Sequence, residues 1–236
     1  MTKKITTLLV LIITFNSFSQ KSGKVVYEIQ SINFEIKDNP NATEAVETIR
    51  NVIEIAKSQT FTLEFNDNQS KFTMNESMNS DEDKNNKFYN TLARLSHTSV
   101  DYYLDKNEKI LIQKMTNGGL LERKNFNIDW QITKETKDID GYLCYKAINE
   151  IKENTRNNQI ITTQYVAWFA PSLPYSFGPR NFSGLPGLIL EMKVNNTTFL
   201  ATKINLQEKE IKIEFPKGNR VDYNEYVKEI TSKSWR

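Results

Sequence analysis

The sequence predicts an α+β protein, a mainly antiparallel, curved β-sheet meander with two main helices on one face or end. Three observations carry this reading. Apolar and polar residues alternate with period two in many short runs separated by turn residues. Helical period occurs in two main places, around residues 41–58 and after residue 222. Strands and helices do not alternate one for one, so a parallel sheet of βαβ units is excluded.

The elements follow in order. Lys24 to Ile36 is strand-like: Val25, Tyr27 and Ile29 share one phase, then Ile32, Phe34 and Ile36 the other. The change of phase predicts a bulge or break near Ser31. Over Asn41 to Ser58, the residues Ala45, Val46, Ile49, Val52, Ile53 and Ala56 fall on one helical face, with Asn41 or Thr43 as cap. Thr60 to Asn66 points Phe61, Leu63 and Phe65 inward; Asp67 to Gln69 turns, and Lys71 to Asn75 returns as a strand. Glu76 to Lys87 is the most polar stretch and reads as a loop, and Asn90 to Ser96 as a short helix. Val100 to Leu104 and Lys109 to Met115 form a hairpin, followed by a turn at Asn117, Gly118 and Gly119.

Ile128, Trp130 and Ile132 alternate with polar residues as a half-buried strand requires. Asp140-Gly141 is a turn. Tyr142 to Ile151 and Ile160 to Phe169 are the strands beyond it, joined through Asn154 to Asn158. Pro171, Pro174, Gly178 and Pro179 make Pro171 to Ser183 an irregular crossing. Leu188 to Val194 and Thr197 to Ile204 pair around Asn195-Asn196, since Asn tolerates positive φ. Lys209 to Phe215 alternates Ile211, Ile213 and Phe215 as a further strand, and Pro216 to Asn219 turns. Asp222 and Glu225 then fit a capping box for a short last helix.

Residues 1–19 read as a secretory signal peptide: Lys3 and Lys4 are basic, Ile5 to Phe15 is apolar, and Ser17 and Ser19 are the small residues before cleavage at Gln20. The apolar run is too short to span a bilayer, and no later stretch would cross one. Residues 20–236 are expected to form one domain, exported to the periplasm or beyond the cell. The chain carries 31 basic and 29 acidic residues; removal of Lys3 and Lys4 leaves 29 of each sign, which argues against a nucleic-acid partner. One Cys and one His exclude a disulfide scaffold and finger-type zinc sites. Cys144 reads as a buried, inert thiol.

The segment Phe182-Ser183-Gly184-Leu185-Pro186-Gly187-Leu188-Ile189-Leu190 contains the hexapeptide GLPGLI. The chain resembles the GLPGLI family of secreted proteins, found mainly in Bacteroidetes. The likeness extends over roughly Asn125 to Ile204, through Asp129-Trp130-Gln131, Gly141-Tyr142-Leu143-Cys144-Tyr145, Ala167-Trp168-Phe169 and Ser176-Phe177-Gly178-Pro179. The resemblance implies an envelope protein, with an accessory role beside outer-membrane TonB-dependent receptors, and implies no reaction. The order of motifs is also similar to the curved antiparallel half-barrel of periplasmic lipoprotein carriers.

Physically, Gly184 and Gly187 can take positive φ, and Pro186 fixes its own φ and keeps Leu185 out of the helical region. A fold-defining turn is the preferred reading; a rigid loop presented to a ligand or partner is the alternative. Tyr175, Phe177, Pro179 and Leu185 are candidate pocket-mouth residues, with a packed crossover as the preferred reading. Trp130 and Trp168 are expected in the core with Gly178 and Cys144 as motif positions. Tyr102 and Tyr103 point one ring to each face, so one of them should be exposed as a contact site.

No catalytic constellation emerges. A His97–Cys144 dyad would join a polar loop to a strand. Asp81, Asp83 and Asn85 have calcium-loop spacing, but Asn86 and Leu92 stand where Gly and Glu are needed. No metal or cofactor is called for. The leading reading is a non-catalytic binding or accessory module, for an apolar small ligand or an outer-membrane receptor. An envelope hydrolase using carboxylate or Ser chemistry is the alternative, and a structural interaction protein without a pocket the third.

Overall fold

The computed structural model describes residues 21–33, 43–75, 88–89, 91–93, 100–154 and 160–233. The signal-peptide segment, the acidic loop with Asp81, Asp83 and Asn85, and His97 lie outside them, as does the candidate cap Asn41.

Among the described residues, twelve strands form one open sheet. They are β1 (Ser22–Ile32), β2 (Thr60–Asn66), β3 (Gln69–Met74), β4 (Val100–Asp105), β5 (Ile110–Met115), β6 (Leu120–Lys124), β7 (Gln131–Ile139), β8 (Tyr142–Asn154), β9 (Ile160–Ala170), β10 (Leu188–Val194), β11 (Thr197–Gln207) and β12 (Arg220–Asp222). The spatial order is β12-β6-β5-β4-β3-β2-β1-β11-β10-β9-β8-β7. Every pair is antiparallel except β12 on β6, which is parallel. The main helices are α1 (Thr43–Ser58) and α2 (Tyr223–Lys233). Residues 88–89 and 91–93 are also helical. No described helix is long and apolar enough to cross a membrane.

Two pairings are non-local, β12 on β6 at one edge and β1 on β11 in the middle. β1 lies between β2 and β11, so Ser22 faces Gln207 across the ladder. Its register against β11 slips between Val26 and Tyr27 and again between Ile29 and Ser31. The second slip is the break that the change of hydrophobic phase predicts. Val25, Tyr27 and Ile29 point into the core beside Phe61, Leu63 and Phe65 of β2. Aromatic rings knit this face together: Phe61 stacks on Phe72 at 5.5 Å and meets Phe199 edge-on at 5.5 Å.

Three local expectations are corrected, and two short strands are added. β7 begins only at Gln131, and Ile132 is 52% exposed. Ile128 and Trp130 pack against the core from an irregular segment instead. Side chains hold that segment in place of a ladder: the Trp130 indole donates to the Ser183 carbonyl at 2.8 Å, and Asn149 Nδ2 donates to the Asp129 carbonyl at 2.7 Å. Residues 209–215 are likewise not a strand. They cross the second face of the sheet, pinned where Ser22 Oγ donates to the Lys209 carbonyl at 2.7 Å and Asn66 Nδ2 to the Ile211 carbonyl at 3.0 Å. Alternation alone does not distinguish a strand from an extended strap with one buried side. The short strands β6 and β12 have no separate periodic signal. Ala45 is exposed, because α1 docks through its far end, where Ala56 is buried.

The last helix starts as the sequence predicts. Asp222 Oδ1 accepts from the backbone N–H groups of Asn224 and Glu225, at 2.8 and 3.2 Å.

Candidate functional site

The apolar stripe of α1 does not pack down along its whole length. Ala56 is fully buried, whereas Ile49, Val52 and Ile53 are only half-buried. They face a cavity of about 490 Å³ between the helix and the sheet. Ile32 of β1, Val194 of β10 and Phe199 of β11 line its sheet side, and Leu92 adds a further apolar wall. Thr48, Thr197, Asn195 and Asn196 supply the neutral polar groups, and Arg180 the charge. Its size and mostly apolar lining with few polar groups suit a small-molecule site.

Arg180 reaches this cavity from the crossing between β9 and β10. Its φ is +58°, in the left-handed region. Its Nη2 donates to the Tyr102 hydroxyl at 3.1 Å, and its guanidinium stands 5.7 Å from the Tyr102 ring centre.

The crossing itself is a plug. Tyr175 and Phe177 lie against Phe65, with ring centres at 4.6 and 5.9 Å, and Phe182 lies 5.3 Å from Tyr165. Backbone bonds tie it to its own end: Gly184 N–H donates to the Ser176 carbonyl at 3.0 Å, Leu188 N–H to Leu173 at 2.9 Å, and Ile189 N–H to Phe177 at 2.9 Å. Gly184 has φ +93° and a Cβ there would meet open space. Gly187 is different. It is not in the left-handed region, and a Cβ would lie 2.3 Å from the Ala170 carbonyl oxygen. The expectation of positive φ at both glycines therefore holds for Gly184 alone; Gly187 is required by a close approach of two backbones.

A second hollow, of about 430 Å³, adjoins the motif and has more polar and charged residues around it. Asp105, Lys106, Lys109, Asn127, Ser176 and Ser183 contribute to it. Asp105 already accepts from the backbone of Asn107 and Glu108 and from Gln69 Nε2, which fixes the turn after β4.

The residues singled out in the sequence are placed as follows. Tyr175, Phe177, Pro179 and Leu185 are buried, within a packed crossover and not at a pocket mouth. Tyr102 and Tyr103 do point to opposite faces, but both are buried, at 7% and 6% exposure, so neither is an exposed contact. Tyr103 is covered by Phe215 of the strap, with ring centres 5.8 Å apart. Trp168 is half-buried under Lys137, whose Nζ sits 4.4 Å from the ring centre and pairs with Glu191 at 2.6 Å. Trp130 is half-buried beside Phe182. Gly178 is buried, and a Cβ there would press on Ile189 at 2.7 Å; Pro186 is exposed at the turn. Cys144 is fully buried, and burial pushes its thiol up to about 11, with Lys137 pulling weakly the other way. Among the described residues, no group of three His, Cys, Asp or Glu is placed to hold a metal ion.

The cavity residues were legible only as a helix face. Arg180 carried one signal, the single charged residue in the crossing Pro171 to Ser183.

A family described as a protein of unknown function (Porph_ging) matches residues 149–191. That segment is under half of the chain and contains the hexapeptide; the family is a Bacteroidetes-associated one, under the Porph_ging description and not the GLPGLI name. Solved structures of PNGF-II in space groups P21 and C2 are similar in fold, with TM-scores of 0.54 and 0.52. Each is 15% identical over 89% of this chain. The chain spans 33% of the length of PNGF-II. No curated protein matches.

Proposed function

We propose that this protein is an exported, non-catalytic binding module of the cell envelope that holds an apolar ligand between α1 and the sheet. The cavity of about 490 Å³, with Ile49, Val52, Leu92, Val194 and Phe199 around it, is the observation that carries the reading. An amphipathic helix ordinarily buries its stripe against the sheet, because each exposed apolar side chain forfeits roughly 1.5–3 kcal/mol of burial. Here the stripe stays half-buried, and a ligand would complete the packing. The sheet then serves as a half-barrel akin to that of the lipoprotein carriers, and the chain as a GLPGLI-type protein. Export rests on the pattern of Lys3, Lys4 and the apolar run Ile5 to Phe15. An outer-membrane TonB-dependent receptor is the partner that the resemblance implies.

The test is a titration with the neutral fluorescent probe N-phenyl-1-naphthylamine. Saturable binding in the micromolar range is expected. Val52→Trp should fill the cavity and weaken binding about tenfold or more while the fold persists. No saturable binding, or equal binding by Val52→Trp, overturns the proposal.

A further inference from the structure

Among the described residues around the cavity, Arg180 alone is charged. Its backbone is held in the left-handed region at φ +58°, which a side chain other than Asn, Asp or Gly adopts reluctantly. A turn closes around it, with Phe182 N–H donating to the Pro179 carbonyl at 3.2 Å. The surrounding plug of Tyr175, Phe177 and Phe182 fixes that turn, so the strained position is set by packing and aims the side chain.

The guanidinium is incompletely satisfied. Its described partner is the neutral Tyr102 hydroxyl, with the Tyr102 ring beside it. Among the described residues, no carboxylate lies within ion-pair distance of it. A guanidinium has five N–H donors in a fixed fork, and one bond to a hydroxyl leaves most of them open. A half-buried cation beside apolar surface has lost hydration that an anion can replace, and Arg suits the bidentate geometry of carboxylate and phosphate. Asn195 and Asn196 border the same cavity and offer neutral amides to a polar head.

Resting on the binding reading above, we infer that the ligand is an amphiphile with one apolar chain and an anionic head, carboxylate or phosphate. The head pairs with Arg180. The chain lies against Ile49, Val52 and Phe199.

The test compares three ligands of equal chain length on the full mature chain: myristate, myristoyl lysophosphatidate and myristyl alcohol. Affinities come from displacement of N-phenyl-1-naphthylamine. Wild-type protein should bind at least one anion about tenfold or more tighter than the alcohol. The tighter anion identifies the head group. Arg180→Gln should remove that preference and leave alcohol binding within about twofold, while Arg180→Lys keeps part of it, as a point charge without the fork. The wild-type comparison needs no variant, so it stands even if Arg180→Gln does not fold. Equal binding of all three ligands by wild type overturns the head-group assignment and leaves the cavity reading intact. An anion preference unchanged in a folded Arg180→Gln also overturns it. Failure of every ligand and of the probe overturns the cavity reading itself.

Discussion

The Tyr27 hydroxyl donates to the Ile189 carbonyl at 2.5 Å, joining β1 to β10 across the intervening strand β11. The ring can reach because its ladder partner on β11 is the small Ala201. The carbonyl lies where β10 slips register against β9, between Ile189 and Glu191. A bond between residues 162 positions apart thus locks the strand after the hexapeptide to the middle of the sheet.

Tyr27→Phe should therefore destabilise the fold by about 1–3 kcal/mol, the cost of losing a buried hydrogen bond and leaving a carbonyl unpaired. Urea unfolding checks this through a lower midpoint at unchanged slope. An unchanged midpoint would show that the bond contributes nothing net.

The two motif glycines should differ. Gly187→Ala places a Cβ against the Ala170 carbonyl, and neither backbone can move without breaking the ladder that pairs Leu188 with Ala170. A loss of about 3 kcal/mol or more is expected. Gly184→Ala meets no atom and pays only for φ +93°, about 1 kcal/mol. Thermal melts of the two variants, side by side, decide whether clash or backbone conformation dominates.

Between neutral pH and about pH 9 these groups leave stability unchanged, and above that it should fall. Burial raises the Cys144 thiol from 9.0 to about 11. Burial also raises the phenols of Tyr27, Tyr103 and Tyr175 above their ordinary 10.0. In each case the unfolded chain gives up its proton first, so the folded state is at full stability below the unfolded value and loses it as pH rises. Chemical denaturation at intervals from pH 7 to 11 checks the sign. Tyr27→Phe, though less stable throughout, should show the shallower alkaline decline.

The Cys144 thiol should be nearly inert in the folded protein. A thiol at about 11 in place of 9.0 carries about a hundredfold less thiolate at pH 8, and the side chain is fully buried. Iodoacetamide labelling, slow when folded and fast in denaturant, is the expected pattern. Rapid labelling of the native chain would mean that β8 opens.

A bound apolar ligand should raise the melting temperature, because it binds the folded state alone. At a hundred times its Kd the gain is about 2.7 kcal/mol. Val52→Trp should melt near wild type yet show little ligand-induced shift, since Val52 lines the cavity.

Local signals served where one element settles its own burial. The alternation of Phe61, Leu63 and Phe65 places β2, and Asp140-Gly141 turns with φ of +52° and +79°. Asn195 at +52° makes the β10–β11 turn. They failed where a distant segment decides. Ile211, Ile213 and Phe215 alternate like a strand but run as a strap over Tyr103, so the same unseen contact misled both readings. For Tyr175 and Phe177 the sequence favoured a packed crossover but could not name the partner, because nothing near them in sequence announces Phe65.

By itself the sequence determined the antiparallel β-rich class, most strand positions, the capped last helix and the buried thiol, because periodicity and turn chemistry are local properties of a chain. The tertiary structure alone decided that β1 sits between β2 and β11, that α1 stands off the sheet to leave a cavity, and that Arg180 reaches that cavity beside Tyr102. Those relations join residues tens to hundreds of positions apart. They are fixed by how the whole sheet closes and what it must cover, which no window of the sequence contains.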